Sequence, residues 1–298
     1  MLRVGRLFRP AVVIALLPDQ ICCSIRKENY LRAILLAAGQ GLRLQNPPDR
    51  QLPKCLIRIG GVSLLERHRQ LLTQFGVDEI VLAVGFRRDL IEAELDRLEW
   101  RPELIINERY DRGSMLTLHT VADAMTRGGE VLLMDADVLY HEQIMAALVG
   151  GAGPANRLLL DRKFEGGDEP VKVCVRDGKP IELRKRLAPD LQYDTIGESV
   201  GFFRFAEPAA CRLAQLVARS IESSGADLPH EEAVRELLQE GSHDFEVVDV
   251  TGVPWIEIDF AADALRAEHE VRPRLEAPVA RGSAAQVSGR RARRTRGG

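Results

Sequence analysis

The sequence is poor in aromatic side chains, 5% of 298 residues, and holds no long hydrophobic run. Its longest unbroken apolar stretch, residues 11–17, is stopped by Pro18 and falls far short of the roughly 20 residues needed to span a bilayer. No CxxC pair occurs and the cysteines number five, an odd count. That argues against a disulfide framework or a zinc site and for buried or idle thiols of a reducing cytoplasm. The six histidines are scattered and fall into no Ser-His-Asp or Cys-His pattern of the kind that activates a nucleophile. No internal repeat is visible. What the chain does have is aliphatic bulk: 45% of its residues are hydrophobic and 29% charged, enough for a real core.

Charge is unevenly distributed. Residues 1–30 carry a net +3 and residues 277–298 six arginines and no acid, so a formal total of −3 leaves the body, 31–276, at −12. An acidic body lacks the basic face that nucleic acid requires, so no nucleic-acid substrate is expected. A phosphate-bearing ligand would instead depend on local Lys and Arg, backbone N–H groups and metal. The arginines and short apolar run of the N-terminus imitate an export signal, but no small-x-small cleavage site follows. Residues 1–30 therefore read as a dispensable extension. The Gly/Ser/Arg-rich segment 277–298 reads as a solvated basic tail, because it cannot bury enough apolar surface to fold. One domain, 31–276, is expected between them, without a membrane span and in the cytoplasm. Self-association into a homodimer is left open.

Within the body, short apolar runs alternate with helical periodicity. Strands are expected at 32–37, 79–85, 104–107 and 131–137, and helices at 64–75, 87–98 and 115–127. That rhythm implies a parallel sheet with helices on both faces and ligands at the carboxyl ends of its strands. From about residue 157 the rhythm changes. NRLLLDR, a hairpin turning at Asp177-Gly178 and SVGFFRF read as strands. Helices at 207–222 and 230–240, strands FEVVDV and WIEI, and a closing helix at 260–271 follow. This half is expected to complete the same sheet and to add an acceptor-binding lobe.

The most informative stretch is LLAAGQGLRL, residues 35–44. A strand runs into small residues, Leu36-Ala37-Ala38-Gly39-x-Gly41, whose backbone N–H groups can approach a nucleotide closely. Arg43 can fork onto phosphate oxygens, and Lys54, eleven residues later, adds a compact charge near the reacting phosphorus. A dinucleotide fingerprint would need glycine where Leu44 stands, and no Walker Gly-Lys-Ser/Thr is present. Two acidic strand ends accompany the loop: Asp135-Ala-Asp137, and Glu257-Ile-Asp259. Remote carboxylates converging beside phosphates suit Mg²⁺.

LAAGQGLRL…PKCLIRIGGVSLLERHRQLL resembles the opening of the NTP-transferase superfamily of sugar-phosphate and alcohol-phosphate nucleotidyltransferases. EPVKVCVRDGKPIELRKRL and IGESVGFFRF resemble the small cytidylyltransferases that act on phosphocholine, 2-aminoethylphosphonate or inositol 1-phosphate. The resemblance covers roughly 31–272. It implies a Rossmann-like three-layer α/β sandwich with a mostly parallel, mixed central sheet of the nucleotide-diphospho-sugar transferase type and a small β-rich lobe for the acceptor. The implied reaction is Mg²⁺-dependent transfer of NMP, with CTP as first choice, to a small phospho-alcohol or phosphonate. UTP or dTTP with a hexose 1-phosphate is the alternative, and an inactive nucleotide-binding protein on the same fold is a third reading. Arg43 and Lys54 would serve the triphosphate and the attacking phosphate, and Asp137 and Asp259 would hold the metal. Asn107, Ser114 and Gly85, with Phe86, would line the nucleotide site. Lys172 and Lys185 would hold the acceptor phosphate. Glu198, with Tyr140, Tyr193 and Trp255, is available to a quaternary ammonium.

A chain trimmed to 29–276 is expected to keep the Tm and the small-molecule activity of the full-length protein. Parallel thermal melts and kcat/KM measurements check this. A fall of more than about tenfold, or 1.4 kcal/mol on the barrier, would place one of the ends in the site.

Overall fold

The computed structural model describes residues 30–44, 51–151, 156–224 and 227–276. The two ends discussed above lie outside the described residues, apart from Tyr30.

The chain forms a mixed sheet with helices on both sides. Its centre is four parallel strands in the order β6 (Glu130–Asp135), β1 (Leu31–Ala37), β4 (Glu79–Val84) and β5 (Glu103–Ile106). Strand residues alternate between two cores, as a sheet buried on both faces requires. Ala33, Leu35 and Ala37 of β1 pack with α1 (Leu64–Gln74), α2 (Arg88–Arg97) and α5 (Glu142–Val149). Ile34 faces the other way, with α3 (Ser114–Thr120), α4 (Ala122–Met125), α6 (Glu207–Ser224) and α7 (Glu231–Glu240). Ser63 caps α1 by accepting from the Glu66 N–H at 3.2 Å. The single helix expected at 115–127 is two, broken at Val121. There the Thr120 hydroxyl bonds back to the Thr117 carbonyl at 2.7 Å, a contact that competes with helical pairing.

The second half completes this sheet. β11 (Thr195–Phe205) lies antiparallel to β6 and also pairs with β8 (Asn156–Asp161) and β9 (Lys172–Arg176). β10 (Lys179–Arg184) forms the expected hairpin with β9, turning through Asp177 and Gly178, both at positive φ, as a two-residue type I′ loop demands. β12 (Phe245–Asp249) adds parallel to β8. Three short strands were not anticipated: β2 (Arg58–Ile59) and β3 (Val62–Ser63), which pair antiparallel with each other, and β7 (Val138–Tyr140), which pairs antiparallel with β13 (Trp255–Glu257). The closing helix also departs from expectation. α8 (Ala261–Arg266) passes through a π-helical turn, Ala267–Val271, into α9 (Arg272–Glu276). A third apolar cluster, including Leu44, Ile59, Leu139, Ile256, Ile258 and Val271, ties this helix beneath the glycine loop.

β11 serves three neighbours by breaking its register between Ser199 and Phe203. Gly201 sits in that break at φ 77°, and a Cβ there would stand 2.4 Å from the Asp135 carboxylate. Gly201→Ala should therefore cost about 2 kcal/mol or more. The expected result is a fall in Tm of roughly 4–8 °C for a chain of this size, read by thermal denaturation.

Candidate active site

The parallel register sets the site. Leu36 of β1 pairs with Asp135 of β6, and Ala37 with Val84 of β4, so the glycine loop and the first acidic strand end leave the sheet side by side. Gly41 is left-handed, at φ 60°, and a Cβ on it would lie 3.0 Å from Lys54 Cγ. Loop and lysine stem are thus in direct contact. The Leu44 N–H closes a short 3-10 turn onto the Gly41 carbonyl at 3.1 Å. A second such turn, Lys54–Leu56, presents Lys54 and buries Cys55, whose thiol is pushed up to about 12 by burial and by Asp137.

The second acidic segment arrives through the β7–β13 ladder. Glu257 pairs with Val138, and the Ile258 N–H donates to the Asp137 carbonyl at 3.0 Å, which carries Asp259 alongside Asp137. Carboxylate oxygens of Asp137, Glu257 and Asp259 lie within 4.8 Å of one another. Lys54 Nζ donates to Asp137 at 2.7 Å and to Asp259 at 2.6 Å. Side-chain exposures of only 16%, 19% and 14% keep this triad from being an ordinary surface pair. Burial disfavours the ammonium, but the two carboxylates outweigh it and hold the Lys54 pKa above its ordinary value. Arg43 Nη2 adds a bond to Asp259 at 2.7 Å. Asp135 and Glu257 are both held well above the carboxylate range, by desolvation first and then by their acidic neighbours. A set of hard oxygen donors this short of positive charge fits a divalent cation.

These residues border a cleft of about 530 Å³. Of the residues singled out in the sequence, Leu36, Ala37, Ala38, Gly39, Gly41, Arg43, Lys54, Ser114, Asp137, Lys185 and Asp259 line it. Gly85 and Asn107 stand behind it. At Gly85 the backbone runs so close to Tyr110 and Ala38 that a Cβ would lie 2.6 Å from Tyr110. Phe86 packs edge-on against Tyr110. Asn107 is buried, donating to Thr117 and accepting from the Arg109 N–H, both at 3.0 Å. Ser114 is not the helix cap, a position Gly113 takes; its hydroxyl accepts from the His230 N–H at 2.9 Å. Lys172 spends its ammonium on the carbonyls of Gly167, Pro170 and Lys185. Pro229-His230-Glu231, which carries no sequence signal for a site, also lines the cleft. Only the packing of α7 against α3 brings it there, and no local motif marks it.

Glu198 lines a neighbouring cavity of about 660 Å³ that shares Glu257 and Asp259 with the cleft. Trp255 borders the same cavity, its indole N–H fixed on Asp161 at 2.9 Å. Tyr140 does not take part: it is buried in the core, with its hydroxyl 3.1 Å from His68 Nδ1. Tyr193 is exposed and borders neither cavity. Desolvation and then Asp161 raise the Glu198 pKa from 4.5 to about 7. The folded state therefore binds this proton more tightly than the unfolded chain. The resulting stability is full below about pH 4.5 and lost as pH rises through about 7. Glu198→Gln should raise Tm at pH 8, where the native carboxylate is ionised, and by less at pH 5. Equal gains at both pH values would show that Glu198 does not titrate in this range.

A model of the MobA-like NTP transferase domain family matches residues 33–200. The chain is 31% identical over 175 residues to a bifunctional IPC transferase and DIPP synthase of Thermococcus kodakarensis, covering 58% of this chain and 37% of that one. To the 2-aminoethylphosphonate cytidylyltransferase of Lancefieldella rimae it is 24% identical over 206 residues, covering 68% and 78%. The chain spans about half or less of the length of the first curated relatives it matches. Among solved structures, the inositol-1-phosphate CTP transferase from T. maritima superposes with a TM-score of 0.65 over 84% of this chain and 97% of that one, at 21% identity, a likeness of fold. The family match takes in more than half of the chain, from β1 into β11, and with it the glycine loop and the first acidic strand end: the chain belongs to the MobA-like NTP transferase domain family.

Proposed function

We propose that this chain transfers CMP from CTP to a small phosphate monoester or phosphonate, with Mg²⁺, and releases pyrophosphate. The observation that carries the reading is the meeting in one cleft of the glycine loop, Lys54 and the carboxylates Asp137, Glu257 and Asp259. An ionised acceptor oxygen forms a bond to the α-phosphorus as the bond to the bridging oxygen breaks and pyrophosphate departs. The nucleophile is already charged, so no side-chain base is required. Catalysis reduces to alignment and neutralisation of developing charge. Lys54 supplies a fixed ammonium beside the reacting phosphorus, and Gly39, where a side chain would meet nothing within 4 Å, leaves the loop backbone open to the nucleotide. Asp137, Glu257 and Asp259 would hold Mg²⁺, which when bound neutralises phosphate oxygens. CTP is favoured because two of the relatives carry cytidylyltransferase names, one for choline phosphate and one for 2-aminoethylphosphonate. The carboxylates of Glu198 and Asp161 beside the Trp255 indole suit an acceptor with an ammonium group.

The test is pyrophosphate release on incubation with each NTP, Mg²⁺, and phosphocholine, 2-aminoethylphosphonate, inositol 1-phosphate or glucose 1-phosphate. Release with CTP and an amine-bearing acceptor is expected. Asp137→Asn should abolish it in a protein that still melts cooperatively, since an amide ligates Mg²⁺ poorly. Lys54→Ala should lose about 2–4 kcal/mol of transition-state stabilisation, mainly in kcat. Silence with every pair would favour a binding protein on this fold instead.

A further inference from the structure

We propose that Glu169 is a tethered carboxylate that occupies the acceptor's phosphoanion subsite, between Arg43 and Lys185, until a substrate phosphate displaces it. This rests on the nucleotidyltransferase reading for the identity of the anion, but the contact itself is independent of it. Glu169 Oε2 lies 2.5 Å from Arg43 Nη1 and 3.4 Å from Lys185 Nζ. One carboxylate oxygen thus bridges two cations that both border the cleft, the position a phosphate oxygen would take. Beside the contact lies a further cavity of about 690 Å³, bordered by Arg43, Glu169, Lys185 and Arg186 and joined to the cleft through Arg43 and Lys185.

Glu169 belongs to the segment between β8 and β9. Lys172 pins the end of that segment, through the Gly167 and Pro170 carbonyls, to the Lys185 carbonyl at the foot of the hairpin. Glu169 sits between those two pinned carbonyls, and ahead of it a Cβ at Gly166 or Gly167 would meet nothing within 4 Å. Its side chain is more than half exposed, so the carboxylate can swing out by rotation about its own bonds while the backbone stays in place. The strength of the contact suits displacement. Arg43, Glu169 and Lys185 side chains are 42%, 58% and 42% exposed, and ion pairs so open to solvent contribute about 0–1 kcal/mol. A dianion reaching both cations outcompetes one shared carboxylate oxygen. Asp168, the residue before it, pairs instead with Arg186 at 3.0 Å, so its charge is near the subsite without filling it.

The probe is inorganic phosphate, titrated calorimetrically into the full chain. Glu169→Gln should bind it up to about fivefold more tightly, the equivalent of about 1 kcal/mol. Asp168→Asn, which removes the same charge one residue away, should gain less than half of that. In Glu169→Gln/Lys185→Ala the gain should vanish. Unchanged or weaker binding by Glu169→Gln, or an equal gain in Asp168→Asn, overturns the proposal. Phosphate binding needs no turnover, so a gain in Glu169→Gln sustains this inference even if no nucleotide and acceptor release pyrophosphate. Turnover without that gain sinks it alone.

Discussion

Four carboxylates, Asp135, Asp137, Glu257 and Asp259, are delivered to one edge of the sheet, and charges of one sign so close cannot all ionise unless cations stand among them. The Lys54 ammonium, bonded to Asp137 and Asp259 at once, is the interaction on which the rest of the site depends. It joins three segments far apart in sequence, and it holds its proton because two carboxylates outweigh the burial that would remove it. Burial first, and then the same charge imbalance, keeps Asp135 and Glu257 above the ordinary carboxylate range, and the cluster of hard oxygen donors that results fits a divalent cation.

The scaffold that sustains this concentration is the parallel centre of the sheet. Strands β1 and β6 are buried on both faces and end side by side, so the glycine loop after β1 and the acidic turn after β6 share one rim. The small β7–β13 ladder sets the second carboxylate pair by register alone, because Glu257 opposite Val138 leaves Asp259 beside Asp137. A shift of one residue would turn these side chains to the other face. Gly201 belongs to the same logic, for no side chain fits where β11 passes Asp135.

Cations are distributed according to task. Lys54 is enclosed and committed, Arg43 divides itself between Asp259 and Glu169, and Lys185 remains half exposed at the mouth of the cleft. Lys172 is structural in this arrangement, saturated by carbonyls and organising the segment that carries Glu169. This gradation runs from fixed charge at the acidic centre to exchangeable pairs at the rim, and it suits the proposed transfer, in which a metal would be retained while phosphate-bearing molecules enter and leave.

The sequence by itself determined the alternation of strands and helices, the layered α/β fold and the glycine loop with Arg43 and Lys54, because each is encoded locally: by apolar periodicity, by glycine where φ must be positive, and by residue spacing. It also marked Asp137 and Asp259 as acids at strand ends. Tertiary structure alone decided that those acids share one site, since a pairing register brings together residues 122 apart without leaving a local trace. It alone placed Asn107 and Gly85 behind the cleft, sent Tyr140 into the core, and brought His230 to Ser114 and Glu169 to Arg43. Those outcomes depend on which helix packs on which, and the composition of a single segment holds no information about its distant neighbour.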